Sequence, residues 1–427
     1  MSSPATPSFT VNGRTYAPPP CPVVVICLDG SADAYLDAAL ARDRMPNLKR
    51  FAAQGWRGQA RAAMPTFTNV NNASIVTGVP PRMHGIGGNY FYDRGSDEEV
   101  MMNSARFLTA PTIFPAARRS GRHVAVVTAK EKLRDIFAHG LVSPAPPASA
   151  PPTASGIAFS SEKAAAARVE THGIAEVEAL VGRPQPPIYS GDASLYVLEA
   201  GAALVAAGRA DFLYLSTTDY MQHTYAPDAP EVTEFYAGLD QALGRLDALG
   251  ALIGITADHG MNAKQKPDGT PNVIHLEALL ARQFGPGFRV ILPITDPYVV
   301  HHGALGSFAQ VHLPSLQPVE PVRDFIAAMP GITEVHEARA AVQKIELPPE
   351  RIGDLAVCGG RDVVIGRTPQ HHDLKALHGG LRSHGGRYEE MVPFLFNRPL
   401  QPAFRRRAEA DVRNFDIFDF TCNGLVT

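Results

Sequence analysis

The sequence predicts an α/β fold, a mostly parallel central sheet flanked by helices, on three observations. Apolar, β-branched runs recur at 22–30 (PVVVICLDG), 211–219 (DFLYLSTTD) and 251–260 (ALIGITADHG), and such continuous runs suit strands covered on both faces. Helical stretches separate the later runs, as the crossovers between parallel strands require. Each run ends in an acid, at Asp29, Asp219 and Asp258, and open α/β sheets bind their ligands beyond the carboxyl ends of the strands.

The first strand at 22–30 is followed by PNLKRFAAQG (46–55), a short helix with proline at its start and glycine at its end. Residues 63–81, AMPTFTNVNNASIVTGVPP, place a hydroxyl-rich elbow just before an apolar run that suits a helix packed on the sheet. HVAVVTAKEKLR (123–134) reads as strand, loop and helix start, and 161–182 and 192–208 have alanine-rich helical character. A further helix around 231–249 joins the second and third aspartate-ended strands. From 264 to 375 the texture shifts to shorter strands with a helix, which predicts a smaller α+β cap inserted into a core formed by 14–263 and 376–427. The core resumes near HGGLRSHGG (378–386) and closes with the strand VPFLFN (392–397) and a terminal helix.

Composition narrows the function classes. At 427 residues, with 45% apolar and 19% charged residues, the chain can bury a large core. A formal charge of −3 gives no general attraction to nucleic acid or to anionic membranes. No apolar run reaches the length of a membrane span, and the N-terminal stretch lacks an apolar signal core, so a cytoplasmic location is expected. The four cysteines, Cys21, Cys27, Cys358 and Cys422, have no CxxC spacing and are expected to pack rather than to pair or bind metal. The sequence leaves room for a homodimer.

The chemistry-bearing residues gather at the strand ends. Asp219 and His223 are spaced to share one face if a helix begins there. Asp258 and His259 directly follow the third strand, and His384 lies in a glycine-rich turn, RSHGG. Any one of these is weak evidence, because a strand-ending aspartate can simply cap a helix. Together, Asp29, Asp219, His223, Asp258, His259 and His384 overcrowd a single ion. Two ions fit better, and carboxylate with imidazole suits zinc, with manganese or iron also acceptable. Paired ions suit phosphoryl chemistry. Thr66 and Thr68 in the elbow are rival nucleophiles at this point.

The set LDG (28–30), PTFTN (65–69), TGVPPRMHGI (77–86), DxxxH, DHG and SHGG resembles the alkaline phosphatase superfamily, in its nucleotide pyrophosphatase/phosphodiesterase branch. Within it, TAKEKLR (128–134) and DPYVVHHGALGS (296–307) are most similar to the phosphonoacetate hydrolases. The resemblance implies an alkaline-phosphatase-like core holding two zinc ions. One would be held by Asp219, His223 and His384, the other by Asp29, Asp258, His259 and the nucleophile Thr68. It implies that Asn89 donates to a phosphoryl oxygen, and that Lys130 and Lys132 hold the carboxylate of phosphonoacetate. Alternation along an extended segment would aim both ammonium groups one way. The implied reaction is hydrolysis of the C–P bond to acetate and phosphate through a phosphothreonine. The alternatives are a phosphodiesterase or nucleotide pyrophosphatase on the same metals, a metal-dependent phosphosugar mutase, and a phosphonate-binding protein without activity. Threonine in place of serine argues against the mutase, and the full set of ligand positions argues against loss of activity. His84 is expected to support local structure and Asp354 to be a structural acid. Of His301, His302, His371, His372 and His378, one could line the pocket.

Overall fold

Seven strands make the central sheet: β1 (Val23–Cys27), β2 (Trp56–Arg61), β3 (Val124–Thr128), β4 (Ile157–Ser160), β5 (Phe212–Ser216), β6 (Leu252–Thr256) and β7 (Met391–Phe396). Their order is β2-β7-β6-β1-β5-β3-β4, and the five from β6 to β4 run parallel. Only β7 opposes them, pairing antiparallel with both β6 and β2. The computed structural model describes residues 7–142, 156–294, 305–374, 377 and 380–427. Among these, no helix is long and apolar enough to cross a membrane.

Every residue of β1, β3, β5 and β6 is buried, which explains why their sequences do not alternate. Alternate side chains enter two separate cores. Val24, Ile26, Leu213 and Leu215 pack under the helices Asp192–Ala206 and Pro230–Ala248. Val23, Val25, Phe212 and Tyr214 pack toward the elbow helix Thr68–Thr77 and the C-terminal helix Ile417–Asn423. The long helix expected over 161–182 is instead a 3₁₀ stretch, Ser161–Ala166, and two short helices, Val169–His172 and Val177–Val181. Gly173 at φ +71 ends the first of these, so alanine content there does not carry a continuous helix.

Register sets up the site. Cys27 of β1 pairs with Thr256 of β6 and with Ser216 of β5, and Ser216 pairs with Thr128 of β3. These four residues form one row across the sheet. Asp29, Asp258 and Lys130 each lie two residues beyond that row, and Asp219 three. Four groups distant in sequence therefore emerge at one edge.

Within 264–375 the chain forms a second, α+β region. Strands Arg289–Ile291, Phe308–His312, Leu355–Gly359 and Ile332–Glu337 pair antiparallel in that order, apart from the central sheet. Leu276, Leu280, Val311, Val322, Ile326 and Val357 give it a core of its own. Phe308, Ala356 and Cys358 of the cap also pack against Met64, Phe67 and Val70, so the cap buttresses the elbow.

Asn262–Ala263 and Arg382–Ser383, on either side of this region in sequence, pair antiparallel. A fully buried ion pair, Lys264 Nζ to Glu389 Oε1 at 2.8 Å, locks this junction. Lys264 also donates to the Arg361 carbonyl, and Glu389 Oε2 accepts from the Gly386 N–H. Removing one partner of such a pair strands a buried charge, which typically costs about 3–5 kcal/mol. Lys264→Met is expected to lose stability on that scale in denaturant unfolding. Lys264→Met/Glu389→Gln, which leaves no orphan charge, is expected to lose less.

Candidate metal centre

Two groups of buried donors lie close enough for each to hold one ion: Asp219, His223 and His384, and Asp29, Asp219 and His259. In the first, Asp219 stands at the N-cap position of the short helix Tyr220–Thr224 without a side-chain capping bond, and the helix brings His223 round to the same face as the spacing predicts. His223 Nε2 stands 3.0 Å from Asp219 Oδ2, and His384 Nε2 3.8 Å from the same oxygen. In the second, His259 Nε2 is 3.3 Å from Asp29 Oδ1. Asp258 borders this group, its Oδ2 3.7 Å from His259 Nε2. Its carboxylate is held by the Asn72 amide at 3.0 Å and by the N–H groups of Gly30 and His259 at 3.1 and 3.0 Å. Gly30, at φ +70, lets β1 pass close beneath Asp219, whose Cβ would lie 2.8 Å from any added Cβ.

The imidazoles are oriented from behind. The Nδ1 atoms of His223, His259 and His384 face the backbone carbonyls of Arg382, Gly260 and Thr66 at 2.9, 2.9 and 2.7 Å. Each Nδ1 therefore donates to its carbonyl, which turns each Nε2 toward the cluster. Asp29 is fully buried, and neither of its oxygens accepts a hydrogen bond. Imidazole nitrogens and carboxylates facing one another in a buried space call for cations.

The protonation tendencies carry the same imbalance. Burial raises the Asp258 carboxyl well above its usual range, with neighbouring Asp29 pushing it further. Burial disfavours charge on His259, but Asp258 and Asp29 outweigh it and lift the imidazole to about 9. His384 is driven well down by burial and by the His259 and His223 charges, its ring stacked 3.5 Å from that of His259. Asp219 is held low against its own burial by Lys130 and His223. Lys130 Nζ reaches 3.1 Å from Asp219 Oδ1 and 3.6 Å from Asp29 Oδ2. Carboxylate oxygens with inward imidazole nitrogens form the donor set of zinc and similar divalent ions, and the residues fit that role.

The elbow separates its two hydroxyls. Thr68 opens the buried helix Thr68–Thr77, with Oγ1 3.3 Å from His259 Nε2. The Thr66 hydroxyl is occupied elsewhere, donating to the Gly386 carbonyl at 2.9 Å and accepting from the Gly385 N–H at 3.0 Å. Asn89 Oδ1 accepts from the Asn69 N–H at 3.2 Å, which ties it to the first turn of the helix that Thr68 opens. Asn72 is a residue that sequence reasoning passed over. Its Nδ2 meets both Asp258 and the Thr68 carbonyl, and its Oδ1 accepts from Tyr214 and Ser216 of β5. An asparagine inside a helix with every residue buried was the available signal.

The two lysines do not share an extended segment. Lys130 is extended, but Glu131 begins the helix Glu131–Phe137 and Lys132 lies within it, so strand alternation does not aim the pair. Both are buried. His84 is structural, its Nε2 2.8 Å from Ser74 Oγ and its Nδ1 accepting from the Ile86 N–H, with burial lowering its pKa to about 3. Asp354 pairs with Arg94 at 2.8 Å and accepts from the Leu313 N–H. His372 accepts from the Arg367 N–H, and His371 sits beside Thr368, both outside the two donor groups. His301, His302 and His378 lie outside the described residues.

Comparison with known proteins agrees with this geometry. Residues 23–386 match the family model of type I phosphodiesterase / nucleotide pyrophosphatase. The chain is 46% identical to the phosphonoacetate hydrolase from Sinorhizobium meliloti 1021 over 99% of both chains. TM-scores to its structures with phosphonoformate and with phosphonoacetate are 0.91 and 0.90. Murine ectonucleotide pyrophosphatase/phosphodiesterase 5 shares the fold, at 17% identity over 94% of both chains and a TM-score of 0.61. Venom phosphodiesterase of Macrovipera lebetinus is 34% identical over 104 residues, which is 24% of this chain and 11% of the venom protein. By its matched length, its sheet and its buried donors, the chain belongs to the type I phosphodiesterase/nucleotide pyrophosphatase family, alongside the phosphonoacetate hydrolase of Sinorhizobium.

Proposed function

We propose that the protein hydrolyses the C–P bond of phosphonoacetate to acetate and phosphate, using two divalent ions, zinc by preference. Asp219, His223 and His384 would hold one ion, and Asp29, Asp258, His259 and Thr68 the other. Such ions, when bound, lower the pKa of a coordinated hydroxyl and neutralise charge on phosphoryl oxygens. Thr68 Oγ1 attacks phosphorus as the C–P bond breaks, giving a phosphothreonine. The departing carbon takes the bonding electron pair, delocalises it into the carboxylate as an enediolate, and picks up a proton to become acetate. Water then displaces the phosphoryl group from Thr68. The Asn89 amide is the side-chain donor for charge developing on the phosphoryl oxygens. The core segments 14–263 and 376–427 carry this machinery, with 264–375 as the cap, and we place the enzyme in the cytoplasm.

The observation that favours a phosphonate over a phosphodiester is Lys130, a buried ammonium within 3.6 Å of carboxylates from both donor groups. A phosphate ester leaves as an alkoxide and needs no cation at that position, whereas an acetate carbanion does. With the aspartates neutralised by metal, the ammonium is released to the substrate carboxylate, and Lys132 is its proposed partner. Charge-assisted hydrogen bonds of this kind are worth about 1.5–3 kcal/mol, or roughly 10–10² in kcat/KM. Phosphate release should be measured on phosphonoacetate, a p-nitrophenyl phosphodiester and a phosphomonoester, with metal analysis. Lys130→Ala is expected to lose that factor on phosphonoacetate while keeping its metal and any diester activity. A wild-type preference for the diester, insensitive to Lys130→Ala, would assign a phosphodiesterase instead.

A further inference from the structure

We infer that Thr66 is a positioning residue, one that sets His384 against the attacking Thr68. The inference rests on the two-metal reading above and adds to it a residue outside the ligand set. Four hydrogen bonds clamp Thr66 to the turn His384–Gly386. Its N–H donates to the Gly385 carbonyl at 3.3 Å, and its carbonyl accepts from His384 Nδ1 at 2.7 Å. Its hydroxyl donates to the Gly386 carbonyl at 2.9 Å and accepts from the Gly385 N–H at 3.0 Å.

The clamp joins segments more than 300 residues apart in sequence, with Thr66 fully buried. It is close-fitting on both sides. Gly385 holds φ +117, and a Cβ there would lie 2.5 Å from the Phe67 ring, which itself packs edge-on to His384 at 5.6 Å. Thr68 is two residues from Thr66, and His384 is directly attached to Gly385. A shift between the two segments therefore changes the distance from Thr68 Oγ1 to His384 Nε2 with no slack residue between. The two backbone bonds survive replacement by valine or serine, whereas the two hydroxyl bonds hold Gly385 and Gly386 and so the backbone that carries His384. Groups that orient a metal-ligating histidine typically contribute about 10–100-fold to metal affinity or activity.

Thr66→Val keeps the shape and removes the hydroxyl, and Thr66→Ser keeps the hydroxyl. In the zinc-loaded protein, Thr66→Val is expected to lower kcat on phosphonoacetate about 10–100-fold with KM nearly unchanged. One of the two zinc ions should become easier to strip with a chelator, and Thr66→Ser should restore both. Thr421→Val serves as the control for simple destabilisation, since that buried hydroxyl bonds only within its own helix, to the Ile417 carbonyl at 2.7 Å. It is expected to lower Tm with kcat intact. Wild-type kcat and zinc retention in Thr66→Val would overturn the inference, as would a kcat loss matched by Thr421→Val at equal Tm. Absence of zinc and of phosphate release in the wild type would overturn the two-metal reading, and this inference with it.

Discussion

Thr68→Ala is expected to lower phosphate release from phosphonoacetate by at least about 10³-fold while the fold and the bound metal remain. The scale follows from the role proposed for Thr68 as nucleophile, because what survives its removal is whatever binding and charge stabilisation give to direct attack by water. The other elbow hydroxyl cannot take over. Thr66 is turned to the Gly385–Gly386 backbone by two hydrogen bonds and is fully buried. The fold tolerates the change because alanine is a better helix former than threonine, and among the described residues the Thr68 side chain makes no hydrogen bond besides that to His259. Asn72 Nδ2 still donates to the Thr68 carbonyl, which the substitution leaves in place. Acid quenching during turnover should trap a phosphothreonine at Thr68 in the wild type and none in the variant. Full activity in Thr68→Ala would remove Thr68 as the nucleophile.

Much of this site is written in local sequence, and the residues that are not show why. Asp29, Asp219 and Asp258 are legible because buried strands have a recognisable composition and the register of a parallel sheet brings their ends together. Asp219 and His223 are legible through helical spacing alone. Lys132 misleads because the helix start read within 123–134 falls at Glu131, between the two lysines, where an extended segment was needed to aim both. Thr66 is visible as a hydroxyl, but its partner lies more than 300 residues away, so its work is a property of the fold. Glu389 and Lys264 carry no signal at all. A buried ion pair at a domain junction looks, in sequence, like two surface charges.

Asp219→Asn is expected to cost both metal ions, where replacing any other ligand costs one. The reason is the place of this carboxylate between the donor groups. It lies within reach of His223 and His384 on one side and belongs with Asp29 and His259 on the other. The amide is close to isosteric, so the geometry of the helix Tyr220–Thr224 is preserved and the charge is the variable. That charge has three dependants: His223 at 3.0 Å, His384 at 3.8 Å and the Lys130 ammonium at 3.1 Å. With it gone, Lys130 loses its nearer carboxylate and keeps Asp29 at 3.6 Å, so more of its positive charge bears on the remaining donors. Cation binding then loses an anionic ligand and meets a less well balanced like charge, two effects of the same sign. Metal analysis after gel filtration should find two ions per chain in the wild type, about one in Asp258→Asn and close to none in Asp219→Asn, with phosphate release down by at least about 10³-fold. If Asp219→Asn retained one ion as firmly as Asp258→Asn does, the carboxylate would serve a single site, and the sharing seen between the two donor groups would have no consequence for metal binding. Lys130→Met in the Asp219→Asn background separates the two effects, because it removes the like charge without returning the ligand. Partial recovery of metal there would assign part of the loss to the ammonium, and no recovery would assign it to the missing carboxylate.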